Sequence, residues 1–261
     1  MPFSDANGVR FFQFSSLAAS PVMHAIFTRQ GGVSEGAYAE LNVGRTVGDD
    51  VSHVDENLRR CFTAVDKPRN SLFDSWLVHG TNALVAEAPR PPKWERPPQA
   101  DIVMTNKPGV SLFMRFADCV PLVFFDPVKK AIAIAHAGWK GTMLGVAVSA
   151  VEGMAANYGS HPQDLIVGIG PAVSVERYEV GSDLVTKVRT ALGDDADPLL
   201  PQPNGHFHFD LVGANRLMLE KSGVWQIELS NICTATETSD WFSHRASGGK
   251  TGRFGALIAL E

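Results

Sequence analysis

Apolar positions along the chain fall into short continuous or alternating runs and into longer stretches at helical spacing. Val110–Phe116 and Pro121–Phe125 are largely apolar runs of strand length, and Ala131–Ala135 alternates Ala with Ile, a period of two. Asp164–Ile169 and Phe254–Leu260 read as two further strands. Helical patterns cover Ser52–Val65, Thr142–Tyr158, Ser182–Leu192 and Asp210–Ser222. Asp210 offers an N-cap carboxylate, and Gly159 and Gly223 offer stops. Several strands follow one another without an intervening helix, which favours mixed sheets over pure βαβ winding. The expected fold is α/β (α+β): one domain over residues 1–261, with mixed β-sheets flanked by helices.

Two stretches interrupt this pattern. Ala88–Pro98, APRPPKWERPP, holds five prolines and reads as a rigid surface loop, since proline suits neither helix interior nor central strand. Asp194–Gly205, DDADPLLPQPNG, reads as another loop. The 261 residues are 44% hydrophobic and 20% charged, as in ordinary globular proteins with a substantial core. A net charge of -5 leaves no global basic footprint, which argues against nucleic acid as a main partner. The longest apolar runs, Val120–Phe125 and Ala131–Ala135, are too short to span a bilayer. Met1–Phe14 lacks a basic segment followed by an apolar one, and Cys61, Cys119 and Cys233 are an odd, scattered set. A cytoplasmic protein with free thiols is therefore expected. The pattern leaves the oligomeric state open.

Three residues stand where chemistry is often found. His136 ends the alternating strand in AHAGWKGT, where a glycine turn leads to a helix N-terminus with outward N–H groups. Cys119 lies in ADCVP, where Pro121 is expected to turn or bulge the strand. His79 closes the apolar run WLVHG. Two imidazoles and a thiolate suit zinc, and three protein ligands leave a fourth position open. Their spacing is not a local zinc motif, so on the residues alone a buried free cysteine with two hydrogen-bonded histidines is the favoured reading. A third reading is a Cys119 nucleophile activated by His136. Asp118 is a candidate proton carrier or imidazole orienter, unless it caps a turn.

Polar segments supply candidate substrate contacts. HAIFTRQGGVSEGAYAELNVG reads either as a plain surface loop or as an anion- or ribose-binding loop carrying Arg29, with Asn42 as a positioning side chain. His206 and His208 form an H-x-H pair, read as an exposed strand start. WFSHRASGGKTGRFG gathers His244, Arg245, Lys250 and Arg253 around glycines as a basic loop.

These pieces, in this order, resemble the laccase-domain or polyphenol oxidase family, whose bacterial members are also described as purine nucleoside phosphorylases. The matching segments are TRQGGVS, LNVG, VGDD, VHG, ADIVMTNKPGV, ADCVP, AHAGWKGT, IGP, RYEV and TGRFGALIAL, from about Thr28 to the C-terminus. The resemblance implies zinc ligands at His79, Cys119 and His136. It also implies a fold similar to that of a deamidating toxin with a Cys/His pair. Three positions depart from the family pattern: Leu77 replaces a usual Gln, Lys140 a usual Arg, and Ala172 a common Cys. The Lys140 change keeps charge but loses the bidentate fork.

The oxidase name fails on donor counting. Multicopper oxidation needs a blue-copper site and a histidine-rich cluster, and this chain has 8 histidines with His24, His53 and His161 in unrelated surroundings. Copper is accordingly disfavoured against zinc. The resemblance suggests instead phosphorolysis of adenosine, inosine, guanosine and methylthioadenosine, together with adenosine deamination. Catalytic roles then fall to Cys119, His136 and Asp118, and contacts to nucleoside and phosphate fall to Arg29, Asn42, Lys140 and Arg245. The H-x-E signature of nucleobase deaminases is absent. The rival is a Cys/His hydrolase acting on an amide of a cell-wall precursor; a metal-stabilised binding module is a third possibility.

Overall fold

A computed structural model describes residues 2–91 and 97–261. The N-terminal half contributes β1 (Phe3–Ala6), β2 (Val9–Phe12), α1 (Ser15–Ala18), β3 (Val22–Phe27), α2 (Val51–Ala64), β4 (Leu72–Phe73), β5 (Ala83–Val85), β6 (Ile102–Thr105), β7 (Ser111–Phe116) and β8 (Val120–Asp126). Then follow β9 (Ala131–Ala137), α3 (Trp139–Met143), α4 (Val146–Tyr158), β10 (Ile166–Ile169), α5 (Ser182–Leu192), α6 (Leu211–Lys221), β11 (Gln226–Leu229) and β12 (Phe254–Leu260).

The strands form two six-stranded mixed sheets, ordered β1-β2-β3-β12-β7-β4 and β11-β10-β8-β9-β6-β5. Between these strands the parallel pairs are β4–β7, β5–β6 and β10–β11, each involving an edge strand. Three apolar clusters define the layers. Leu58, Cys61 and Phe62 of α2 pack with Phe11, Phe27, Phe113 and Leu257 on one face of the first sheet. Its other face meets the second sheet through Ile26, Leu112, Met114 and Ile258 against Val103, Val123, Ile132 and Ile134. The second sheet's far face is covered by α4, α5 and α6. The helix–sheet–sheet–helix stack bears out the expected mixed sheets flanked by helices.

Strand alternation explains the Ala/Ile pattern of β9. Ala131, Ala133 and Ala135 face α4 and let it approach, while Ile132 and Ile134 fill the gap between sheets. By the same parity His136 belongs to the inter-sheet face. The three residues Ala117–Cys119 carry the chain from β7 of the first sheet to β8 of the second. Pro121 of β8 pairs with His136 of β9, so Cys119 and His136 lie at the same end of the sandwich.

Besides the short strands β4, β5, β6 and β11, which the pattern does not show, the structure departs from it in four places. Thr142–Tyr158 is not one helix: Gly145, at φ 83, breaks it into α3 and α4. Pro121 neither turns nor bulges the chain but sits inside β8. Gly170 N–H donates to the Pro121 carbonyl, and β10 ends one residue earlier, so the missing proline donor falls where the ladder stops. The β1–β2 hairpin escapes the apolar pattern, although Asn7-Gly8, both at positive φ, is its turn signal. Val22–Phe27, part of which reads as polar loop, is strand β3. Within Ala88–Pro98, residues 92–96 lie outside the described residues, and the flanking residues form no helix.

Candidate metal centre and its cleft

Donor atoms of His79, Cys119 and His136 lie within 4.8 Å of one another. The two imidazole centroids are 4.9 Å apart. His136 is the penultimate residue of β9 and Cys119 immediately precedes β8, as expected of residues at strand ends. His79 corrects that expectation. It lies in the loop between β4 and β5 at φ 58. The reason is Asp101: its carboxylate accepts the Val78, His79 and Gly80 N–H groups at 3.1, 3.0 and 2.8 Å, replacing a strand partner.

The same carboxylate, fully buried, contacts His136 Nδ1 at 3.0 Å. One oxygen pair thus fixes the His79 loop and orients His136, leaving its Nε2 toward the donor cluster. Gly138 completes the cradle. A Cβ there would stand 2.7 Å from His79 Nδ1 and 2.9 Å from Cys119 Sγ, so only glycine admits both donors. An N₂S set converging on a glycine-cleared space, with an orienting carboxylate behind one imidazole, fits a zinc-type ion.

The electrostatics agree. Burial pushes the Cys119 thiol up, but the His136 charge and hydrogen bonds from His136 and His79 outweigh it and hold the thiol below its usual range. Burial pulls the His136 imidazole down, and Cys119 and Asp101 together raise it above its usual value. The site therefore favours the thiolate, the form that ligates metal or attacks carbon.

The cluster opens into a cleft of roughly 1470 Å³. Asp118, the proton carrier or imidazole orienter suggested by the sequence, lines it together with Arg245. The two Asp118 oxygens accept from Thr234 Oγ1 and Arg245 N, both at 2.6 Å, and its backbone stands at φ 83. It holds Arg245, whose guanidinium lies 5.0 Å from the Tyr178 ring centroid. Arg29 is not in the cleft. Its guanidinium donates to the Ala39 and Thr238 carbonyls and stacks on Phe242, tying two loops together. Asn42 is fully buried and accepts from Gly44 N and Arg253 N, so it shapes the cleft wall from behind. Lys140 is exposed on α3 and does not line the cleft. His206 and His208 turn to different partners, Glu179 and the Val175 carbonyl.

The sequence pattern missed Asp101, the spatial role of Gly138 and the cleft arginines Arg69 and Arg115, and read Arg253 only as part of a basic loop. Asp101 stands in the ADIVMTNKPGV segment and Arg253 in TGRFG, but a carboxylate's role behind a histidine appears only when β6 pairs with β9.

Fold and site together define a laccase-domain protein. The chain belongs to the family described as multi-copper polyphenol oxidoreductase laccase, whose pattern matches residues 23–261. The purine nucleoside phosphorylase of Deinococcus radiodurans is 40% identical over 256 residues, covering 98% of this chain and 94% of its own length. Purine nucleoside phosphorylase YlmD of Bacillus subtilis is 34% identical over 252 residues, with 92% and 89% covered. The crystal structure of YlmD from Geobacillus stearothermophilus superposes with a TM-score of 0.92 at 31% identity, over 100% of this chain and 99% of that chain. The resemblance read from the ADC and HAGW segments is borne out.

Proposed function

We propose that this protein is a zinc-dependent purine nucleoside enzyme that cleaves adenosine, inosine, guanosine and methylthioadenosine with phosphate and deaminates adenosine. The observation that carries this is the donor triad at the base of a large cleft with aromatic and guanidinium walls, in a chain 40% identical to a named purine nucleoside phosphorylase. His79, Cys119 and His136 would hold the ion, which supplies Lewis acidity at an open fourth position. Asp101 sets the His136 tautomer and the His79 loop. Trp76, Trp139 and Tyr178 offer flat faces for a purine, and Trp76 and Trp139 are 44% and 36% exposed, open enough to receive one. Asp118 positions Arg245 at the cleft wall.

Copper oxidase chemistry is not part of the reading. Among the described residues His79, Cys119 and His136 form the one cluster of three or more potential donors, whereas four-copper oxidation needs a second, histidine-rich cluster. Incubating the purified protein with inosine or adenosine, with and without phosphate, and resolving the products by chromatography tests the proposal. Phosphate-dependent release of free base is expected, abolished in Cys119→Ser. No base and no deaminated product, even with added zinc, would sink it.

One observation favours a second reading. Asp101, His136 and Cys119 form an orienter–base–thiol chain suited to nucleophilic attack on an amide. Rapid alkylation of Cys119 in protein lacking stoichiometric zinc would favour that hydrolase.

A further inference from the structure

Among the described residues six arginines line the cleft, Arg45, Arg69, Arg90, Arg115, Arg245 and Arg253, against two aspartates, Asp74 and Asp118. In a chain of net charge -5 this concentrates positive charge in one place. Some of it is neutralised internally. Arg90 and Arg115 share the buried Asp74 at 2.5 and 2.8 Å, and Arg45 pairs with Asp55. Arg69 and Arg253 are half-buried with no carboxylate at ion-pairing distance among the described residues. A charge drawn partly out of water without a counter-ion is costly, and a bound anion removes that cost.

Backbone geometry groups these side chains. Arg115 pairs with Gly255 across β7 and β12, and Arg253 precedes Gly255 by two residues. Arg115 and Arg253 therefore stand on one face as diagonal neighbours. Both are fastened to one loop: Arg115 Nε donates to the Val43 carbonyl at 2.7 Å, and Val43 N–H donates to the Arg253 carbonyl at 2.9 Å. Arg253 is held further by its Nη1 donations to the Thr251 and Gly252 carbonyls at 3.0 and 2.9 Å. Its charged neighbours are Cys119 and Asp118, which puts it at the donor-triad end of the cleft. Arg69 lies farther along, 5.7 Å from the Phe62 ring centroid, with Asp74 and Arg115 among its charged neighbours.

We propose that Arg69, Arg115 and Arg253 seat a phosphate dianion beside the donor triad. Guanidinium N–H groups match phosphate oxygens; Arg253 keeps Nε and Nη2 for a paired contact, Arg115 keeps Nη2, and backbone carbonyls hold both in place. This seat replaces Arg29 and Lys140, which lie outside the cleft. The inference rests on the phosphorylase reading only for naming the anion as phosphate rather than another tetrahedral oxyanion.

Calorimetric titration of the purified protein with inorganic phosphate, and separately with adenosine 5′-monophosphate, tests it without measuring turnover. Wild-type binding of inorganic phosphate is expected, weakened about tenfold in Arg253→Gln by loss of a charge-assisted contact. Arg69→Gln is expected to weaken it too, and it settles the matter if Arg253→Gln fails to fold, because the Arg69 side chain makes no hydrogen bond to a described residue. Cys119→Ser, which removes a metal donor, is expected to keep phosphate binding; its loss there would assign the anion to the metal and overturn the seat. Unchanged affinity in both arginine variants, or no binding of either ligand, also overturns it. Binding of the nucleotide alone, weakened by the same variants, upholds the seat while removing phosphorolysis as the reaction.

Discussion

The Asp101 carboxylate accepts from three loop N–H groups and meets His136 Nδ1, so a single residue couples both imidazoles of the donor triad. Asp101→Asn keeps the volume but leaves one acceptor oxygen for these partners. Zinc affinity, measured by competition with a chelating dye, is expected to fall about 10- to 100-fold, as for other carboxylates behind a ligating histidine. A second buried histidine tests the fold instead. His24 accepts from Phe14 N–H at 2.8 Å, and burial pulls its pKa down to about 4 from 6.5 despite the opposing charge of Glu228. The native state thus refuses a proton that the unfolded chain takes. Stability is complete above pH 6.5 and declines as pH falls toward 4, by about 3 kcal/mol in all. In His24→Gln, whose amide oxygen can accept from Phe14, denaturant midpoints are expected to flatten across that window. An undiminished slope would assign the acid sensitivity to other groups.

Element geometry decides whether the donors can meet. The turn from β9 into α3 passes Gly138, the N-cap of α3, whose backbone is extended at φ -78 and ψ 168. An L side chain is allowed there by conformation, so the glycine is required by space alone. Gly138→Ala is expected to keep the thermal midpoint within a few degrees while abolishing stoichiometric zinc, read by metal analysis of the dialysed protein. Retained zinc would show that the His79 loop yields to the methyl group. Many elements were legible from periodicity. α5 matches its pattern, α6 begins at Asp210 as a capping carboxylate, and α4 ends at Gly159 in the left-handed region. Two of the unread strands share a cause. β4 and β5 are two and three residues long and exist through parallel pairing with β7 and β6, so they leave no period to read.

Across the whole molecule, three apolar clusters hold the stack together, and the donor triad lies at one end of it rather than in its centre. Metal removal is therefore expected to abolish activity and leave the protein folded. Dialysis against a chelator should preserve the far-ultraviolet circular dichroism spectrum and lower the melting point modestly, with activity restored by zinc. Unfolding on chelation would make the ion structural. No helix among the described residues is long and apolar enough to cross a membrane, in keeping with the short apolar runs of the sequence.

The sequence by itself determined strands β7, β8, β9, β10 and β12, helices α2, α4, α5 and α6, and the mixed sheets, because period and caps are local, and the ADC and HAGW segments pointed through resemblance to the three candidate donors. It could not place charges against one another. Whether Arg29 faces a substrate or two carbonyls, and whether Asp118 is free or engaged by Thr234 and Arg245, depends on partners up to 209 residues away in the chain. Only the tertiary structure brought Asp101 behind His136 and gathered Arg69, Arg115 and Arg253 on one wall. Strand pairing and sheet crossing set those distances, and neither is written in any local pattern.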